Sequence, residues 1–243
     1  MFDAFVKSNT AAVAVLQQGD HDQAVLLLCQ ALKSIRDCRI GSSSSSRKNQ
    51  DSASSGICQA ERSRQGADKN NRAIHCFEST DDVRMTSPGG FFFLYSNAFS
   101  IQGVPTTTLS HRDQQVLQNM LTSILLFNMA LSFHRKGLFT ATHSTKNLKR
   151  ALRLYSMIRE MHGDEGKLQE LPVLVQLALW NNIGHIHSHL FERKAAFHCQ
   201  TRLAQGIANA LRQRSFSTDD YNFFQRSTLY SNGDQGFHVA PAA

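Results

Sequence analysis

Residues 19–32 read GDHDQAVLLLCQAL, and the folding of the rest of the chain can be worked out from them. Gly19 ends one run of apolar periodicity, because glycine reaches the left-handed backbone region that closes a helix. Asp20 is placed to cap the next helix, with Gln23 three residues on in capping-box position. Ala24, Leu27, Leu28, Ala31 and Leu32 then recur at spacings of three and four, the period of one helix face. Upstream, Phe5, Val6, Ala12, Val13, Val15 and Leu16 mark an earlier helix. Two antiparallel helices joined by a tight Gly-Asp turn account for residues 2–37.

The same periodicity returns after His111. Leu117, Met120, Leu121, Ile124, Leu125, Phe127, Leu131 and Phe133 form a broad apolar stripe ending near Gly137. After the polar loop TATHSTKN, Leu148, Ala151, Leu152, Tyr155, Ile158 and Met161 share one face, with Lys149, Arg150, Arg153 and Arg159 outward. Gly163 closes that helix. Pro172 suits an early helical position, and Leu174, Leu177, Trp180, Ile183, Ile186 and Leu190 mark the next helix. Ala196, Cys199, Leu203, Ile207 and Leu211 give another. Ser217 and Asp220 read as an N-cap with acidic support for a last short helix through Tyr221, Phe224 and Tyr230. The count is seven helices, three pairs and a cap.

Composition agrees with an all-α chain. The 243 residues include only 4 prolines, which favours helices over a turn-rich sandwich, and a hydrophobic share of 41% suffices for a core. The mean hydropathy of −0.32 argues against a membrane-embedded body. Leu121–Phe133 and Leu171–Trp180, the densest apolar stretches, fall short of the roughly 20 residues that span a bilayer. No secretory signal stands out at the start. The 5 cysteines are odd in number, scattered, and free of any CxxC pair, so a reduced intracellular location, cytoplasmic or nuclear, is expected. The formal charge of +7 is a mild bias towards acidic partners on a chain this long.

Two stretches break the helical pattern. Residues 41–72 begin GSSSSSRKNQDSASSG and hold almost no large apolar side chains, so disorder is expected there. Serines beside Arg47 and Lys48 are candidates for phosphorylation, or the stretch is a low-complexity insert of no specific role. Residues 91–101, FFFLYSNAFSI, follow a Gly89-Gly90 pair and lack a helical period. They read as an extended segment or a short hairpin around Ser96-Asn97, covered by the helices because its exposure would invite aggregation. The expected organisation is a first helix pair at 1–38, a disordered insert at 39–88, an extended aromatic segment at 89–110, further helix pairs and a cap at 111–232, and a flexible tail at 233–243.

The run GDHDQAVLLLCQAL resembles the turn and second helix of a tetratricopeptide repeat. Ala12 and Ala24 stand at the two small positions of such a unit, with Gly19 at the turn and Leu28 at the bulky position. Trp180-Asn181-Asn182-Ile183-Gly184-His185-Ile186-His187 is similar to a first helix of that family, and Ala196 follows Gly184 at the Ala12-to-Ala24 interval. A third unit aligns Asn128-Met129-Ala130, Phe133 and Gly137 with Ala151, Tyr155 and Ile158. The units are degenerate and unevenly spaced, over some 150 residues in all. The resemblance implies a short α-solenoid of antiparallel helix pairs, in which small residues such as Ala24 and Gly184 let neighbouring hairpins nest.

By the same resemblance, first helices line a concave face. That face would present Asn9, Gln17, Asn128, His134, Arg135, Asn181, Asn182, His185, Ser188 and His189 to a partner protein or peptide. The family's clamp for a terminal carboxylate is not matched, since Val13 and Leu131 occupy two of its polar positions. Residues 91–101 are a candidate to fill the groove in cis and compete with the partner. A protein-binding scaffold that is not an enzyme is thus expected, with no cofactor, no metal and no membrane partner. A helical-repeat RNA binder using Arg135, Lys149, Arg150 and Arg153 is the alternative, although three uneven units would address few bases. His185 and His189 share a face at i, i+4 and Glu192 is the nearest acidic candidate for a third metal ligand, but no HExxH frame is present. Nor does the sequence contain a GxSxG elbow, a phosphate-binding glycine loop or a dinucleotide fingerprint.

Overall fold

The computed structural model describes residues 3–43, 74–76, 92–101, 110–140, 143–163, 170–213 and 217–229. They are mostly helical: α1 is Asp3–Gln17, α2 His21–Ser43, α3 His111–Phe139, α4 Ser144–Met161, α5 Val173–His189, α6 Arg193–Gln213 and α7 Thr218–Leu229. Two short strands, β1 (Ile74–Cys76) and β2 (Phe99–Ile101), pair antiparallel with Ile74 opposite Ile101, His75 opposite Ser100 and Cys76 opposite Phe99. The seven helices match the expected number among the described residues.

Local chemistry sets the helix ends. Gly19 has φ +84° and closes α1 with its N–H on the carbonyl of Leu16. Asp20 then caps α2, its Oδ1 accepting from the N–H of Gln23 at 3.0 Å. Ser110 caps α3 through the N–H of Asp113, and Ser217 caps α7 through the N–H of Asp220, each serine hydroxyl also donating to the aspartate. Gly163, at φ +61°, follows the end of α4. Pro172 stands one place outside α5, at its N-cap rather than within it.

Packing follows the chain. Helices α1 and α2 form one hairpin, α3 and α4 a second, α5 and α6 a third, and α7 lies against α6 and α5. Successive hairpins meet where α2 touches α3 and where α4 touches α5, and α3 also touches both α1 and α5. Ala24, Leu28, Ala31, Leu121, Ile124, Leu125, Ala151, Tyr155, Ile158, Ile186 and Leu203 all belong to one continuous buried cluster. Lys136 of α3 and Asp22 of α2 add an exposed ion pair at 2.7 Å, worth at most about 1 kcal/mol in solvent. Helix α3 is long and apolar enough to cross a bilayer by length and composition alone, but 72% of that window is covered by other parts of the chain.

Two boundaries differ from the sequence reading. Helix α2 continues past residue 38 to Ser43, since extending a helix already nucleated upstream is far easier than starting one. Ile74–Cys76 lies inside the stretch expected to be wholly disordered, and gains the edge of β2 as a pairing partner. The remainder of 39–88, the tail at 233–243 and the end of the cap at Tyr230 lie outside the described residues.

Gly137 shows how closely the second hairpin nests. A Cβ built there would meet Leu148 Cγ at 2.9 Å and the Leu148 backbone nitrogen at 3.1 Å. Alanine would gain up to about 1 kcal/mol of helix preference, while overpacking of this kind costs about 1–3 kcal/mol. Gly137→Ala is therefore expected to lower stability by about 1 kcal/mol, read as a fall in the urea midpoint at unchanged slope. A raised midpoint would show that α4 gives way freely.

Candidate functional site

The most polar part of the interior is a line of asparagines on α1, α3 and α5. Asn9, Asn128, Asn181 and Asn182 are all fully buried, which the amide group tolerates only with hydrogen-bond partners. Their partner is the main chain of residues 92–101, which lies against these helices and ends in β2. Asn182 Oδ1 accepts from the N–H of Tyr95 at 2.9 Å, and its Nδ2 donates to the carbonyl of the same residue at 3.0 Å. Asn128 repeats this on Phe99, accepting from its N–H at 2.9 Å and donating to its carbonyl at 2.8 Å. Each amide offers the donor and acceptor that a neighbouring strand would offer.

Further contacts extend the line in both directions. Asn9 Nδ2 donates to the Phe99 carbonyl at 3.1 Å, and Asn9 Oδ1 accepts from Asn128 Nδ2 at 3.0 Å. Asn181 Nδ2 donates to the Phe93 carbonyl at 2.7 Å, while the Phe93 N–H reaches Ser227 Oγ of α7 at 3.5 Å. Phe93, Tyr95 and Phe99 thus all turn main-chain polar groups to the edge of the segment that faces the amides. Its opposite edge is left for β1.

The side chains of the segment are buried with it. Tyr95 stacks on Phe224 at 5.2 Å between centroids and meets Phe223 edge-on at 5.4 Å. Phe99 meets Phe127 at 4.8 Å, and Phe127 in turn meets Tyr155 at 5.4 Å. The Tyr155 hydroxyl accepts from Asn182 Nδ2 at 3.2 Å, and burial holds its pKa far above the ordinary phenol value. Phe92 lies directly on Gly184, where an added Cβ would stand 2.3 Å from the ring's Cζ. This corrects the reading of Gly184 as a contact between hairpins: its bare face receives the ring of Phe92.

The sequence-derived residues divide into two groups. Asn9, Asn128, Asn181 and Asn182 converge on the segment. His134, His185 and His189 instead form a separate line between α3 and α5, with His134 Nε2 and His185 Nδ1 3.0 Å apart and the His185 and His189 rings stacked at 6.2 Å. Arg135 is buried against the end of α1, donating to the Leu16 carbonyl at 3.4 Å. Gln17, the last residue of α1, is exposed, and Ser188 is buried. Glu192 pairs with His187 Nδ1 at 2.5 Å rather than with His185 or His189. Among the described residues no three His, Cys, Asp or Glu side chains are arranged to hold a metal ion.

Tyr155 and Ser227 were not among the sequence candidates. Ser227 follows Phe224 at i, i+3 and so shares its inward face, a signal the sequence does carry. The Tyr155 position was assigned to the core by its period, and only the fold reveals what its hydroxyl meets. Arg159, expected to face outward with Lys149, Arg150 and Arg153, is instead half-buried and lies 4.6 Å over the ring of Trp180 on α5, and Cys199 is a buried thiol whose pKa is pushed up to about 12. Comparison with protein-family models, with curated proteins and with solved structures finds no match for the chain.

Acid should weaken this fold. Burial depresses the imidazole pKa of His134, His21, His162 and His189; for His134 the neighbouring His185 and His189 add to the effect. The unfolded chain titrates near pH 6.5, so it binds more protons than the folded chain below that value. Stability is therefore complete above about pH 6.5 and declines as pH falls below it. The urea midpoint is expected to drop between about pH 7.5 and about pH 5.5, and to drop less in His134→Gln. Equal slopes for the two proteins would remove His134 as a source.

Proposed function

We propose that the chain is a tetratricopeptide-like stack of helix pairs that binds a segment of a partner protein, and that its ligand site is the groove in which residues 92–101 lie. The two amide clamps carry this reading: Asn182 on Tyr95 and Asn128 on Phe99 each hold one residue by both its N–H and its carbonyl. That chemistry recognises an extended main chain whatever its sequence, as strand addition does. It needs no catalytic group, and the clamps sit on α3 and α5, the first helices of their hairpins.

The order of hairpin contacts supports the stack, since each second helix touches the first helix of the next pair. Grip on an RNA backbone fits this groove poorly. Its polar lining is neutral amide rather than cation, and Lys149, Arg150 and Arg153 lie on the exposed face of α4.

A displayed library of short peptides, screened against the full chain, should yield binders that depend on the clamps. In a chain whose own segment is weakened by Phe92→Ala and Phe99→Ala, so that no competitor is released, Asn128→Ala or Asn182→Ala should weaken them by about tenfold or more, the loss of about 1.4 kcal/mol expected when hydrogen-bonded groups lose a buried partner. Helical circular dichroism should stay unchanged. Binders indifferent to both substitutions would place the ligand elsewhere and overturn the proposal.

A further inference from the structure

The groove does more than hold a main chain, because three aromatic rings of the segment enter three differently made places. Phe92 rests on the bare backbone of Gly184. Tyr95, three residues on, is sandwiched with Phe224 and edged by Phe223. Phe99, four residues further, is fully buried against Phe127. Nothing in residues 92–101 is charged, and the buried amides around them offer no counter-charge. A carboxylate or ammonium at these positions would be desolvated without compensation.

Gly184 is the most telling of these places. Glycine is a poor choice inside a helix, and α5 continues on both sides of it. The adjacent ring, not a neighbouring helix, occupies the space that any side chain would fill. The segment also leaves part of the site unanswered. Asn181 Oδ1 is buried and finds no hydrogen-bond partner among the described residues.

We propose that the groove selects an extended, uncharged segment of a partner protein with aromatic side chains at i, i+3 and i+7, the first seated on Gly184, and that residues 92–101 are the chain's own stand-in for it. This rests on the peptide-binding reading above and adds the ligand's chemistry to it. Because the stand-in is tethered, a partner segment must compete with an intramolecular ligand. Its apparent affinity is reduced by the fraction of time the groove is vacant. The stand-in thereby sets a threshold that a weakly matched segment does not pass.

The test uses a fluorescein-labelled synthetic peptide of residues 91–102, with lysines added outside that sequence for solubility. It is titrated by anisotropy against the full chain and against the full chain carrying Phe92→Ala and Phe99→Ala, which weaken the stand-in. The peptide is expected to bind the altered chain about tenfold or more tighter than the wild type. A peptide with Phe92→Ala should bind the altered chain at least about tenfold more weakly than the unaltered peptide. Adding Gly184→Ala to that chain should cost the unaltered peptide a similar factor, yet leave the Phe92→Ala peptide within about twofold, the mark of a direct contact.

Peptides that bind regardless of Phe92 and Gly184 would overturn the selectivity while leaving the groove as a peptide site. Failure of every peptide to bind an altered chain that keeps its helical circular dichroism would overturn both. If the altered chain loses its helices, the wild-type chain decides through hydrogen exchange at the Tyr95 and Phe99 amides. Excess unaltered peptide should speed that exchange and the Phe92→Ala peptide should not. Exchange unmoved by either would make residues 92–101 a permanent part of the core and end the proposal.

Discussion

Four buried asparagines need hydrogen-bond partners, and the main chain of residues 92–101 supplies them. An amide removed from water without partners costs about 1–3 kcal/mol per unmet group. Asn128 and Asn182 alone contribute four N–H donors and two acceptor oxygens to the interior, engaged with Tyr95, Phe99, Asn9 and Tyr155. The segment has the same need, since an extended chain without a strand on that edge presents bare N–H and carbonyl groups. Helices and segment each satisfy a demand the other creates.

That constraint reaches back into the packing of the helices. The clamps on Tyr95 and Phe99 stand four residues apart along the segment, close enough that the two rings stack at 6.0 Å between centroids. Helices α3 and α5 must hold Asn128 and Asn182 at that separation, and they touch each other only lightly. The spacing is fixed instead through α4, which nests against α3 at Gly137 and Leu148 and also meets α5. Small residues where helices cross thus decide where polar groups stand several turns away.

The helices were legible because their signals are local. Gly19, Asp20 and Gln23 determine a turn and a cap within five residues, and Ser217 with Asp220 does the same for α7. Repeating three–four spacing marks the inward faces, and an asparagine on a first-helix face reads as a groove residue. What those asparagines hold was less legible, because Phe92–Ile101 meets them across long stretches of sequence: Asn9 and Phe99 are 90 residues apart. The same reasoning placed His134, His185 and Arg135 beside them, but side-chain length separates the two groups. The long guanidinium of Arg135 reaches the end of α1, and the imidazoles reach one another. Gly184 was misassigned because an absent side chain says only that something comes close, not what.

Tyr155 joins the two groups that the sequence had merged. Its hydroxyl meets Asn182, its ring meets Phe127 beneath Phe99, and its edge meets His134 at 6.2 Å between centroids. It belongs to α4, the second helix of its hairpin. A histidine that becomes charged at His134 would therefore press on the residue that supports the clamp on Tyr95. The groove and the imidazole line both rest on that phenol, so a change of packing at His134 reaches the clamp on Tyr95 through a single side chain.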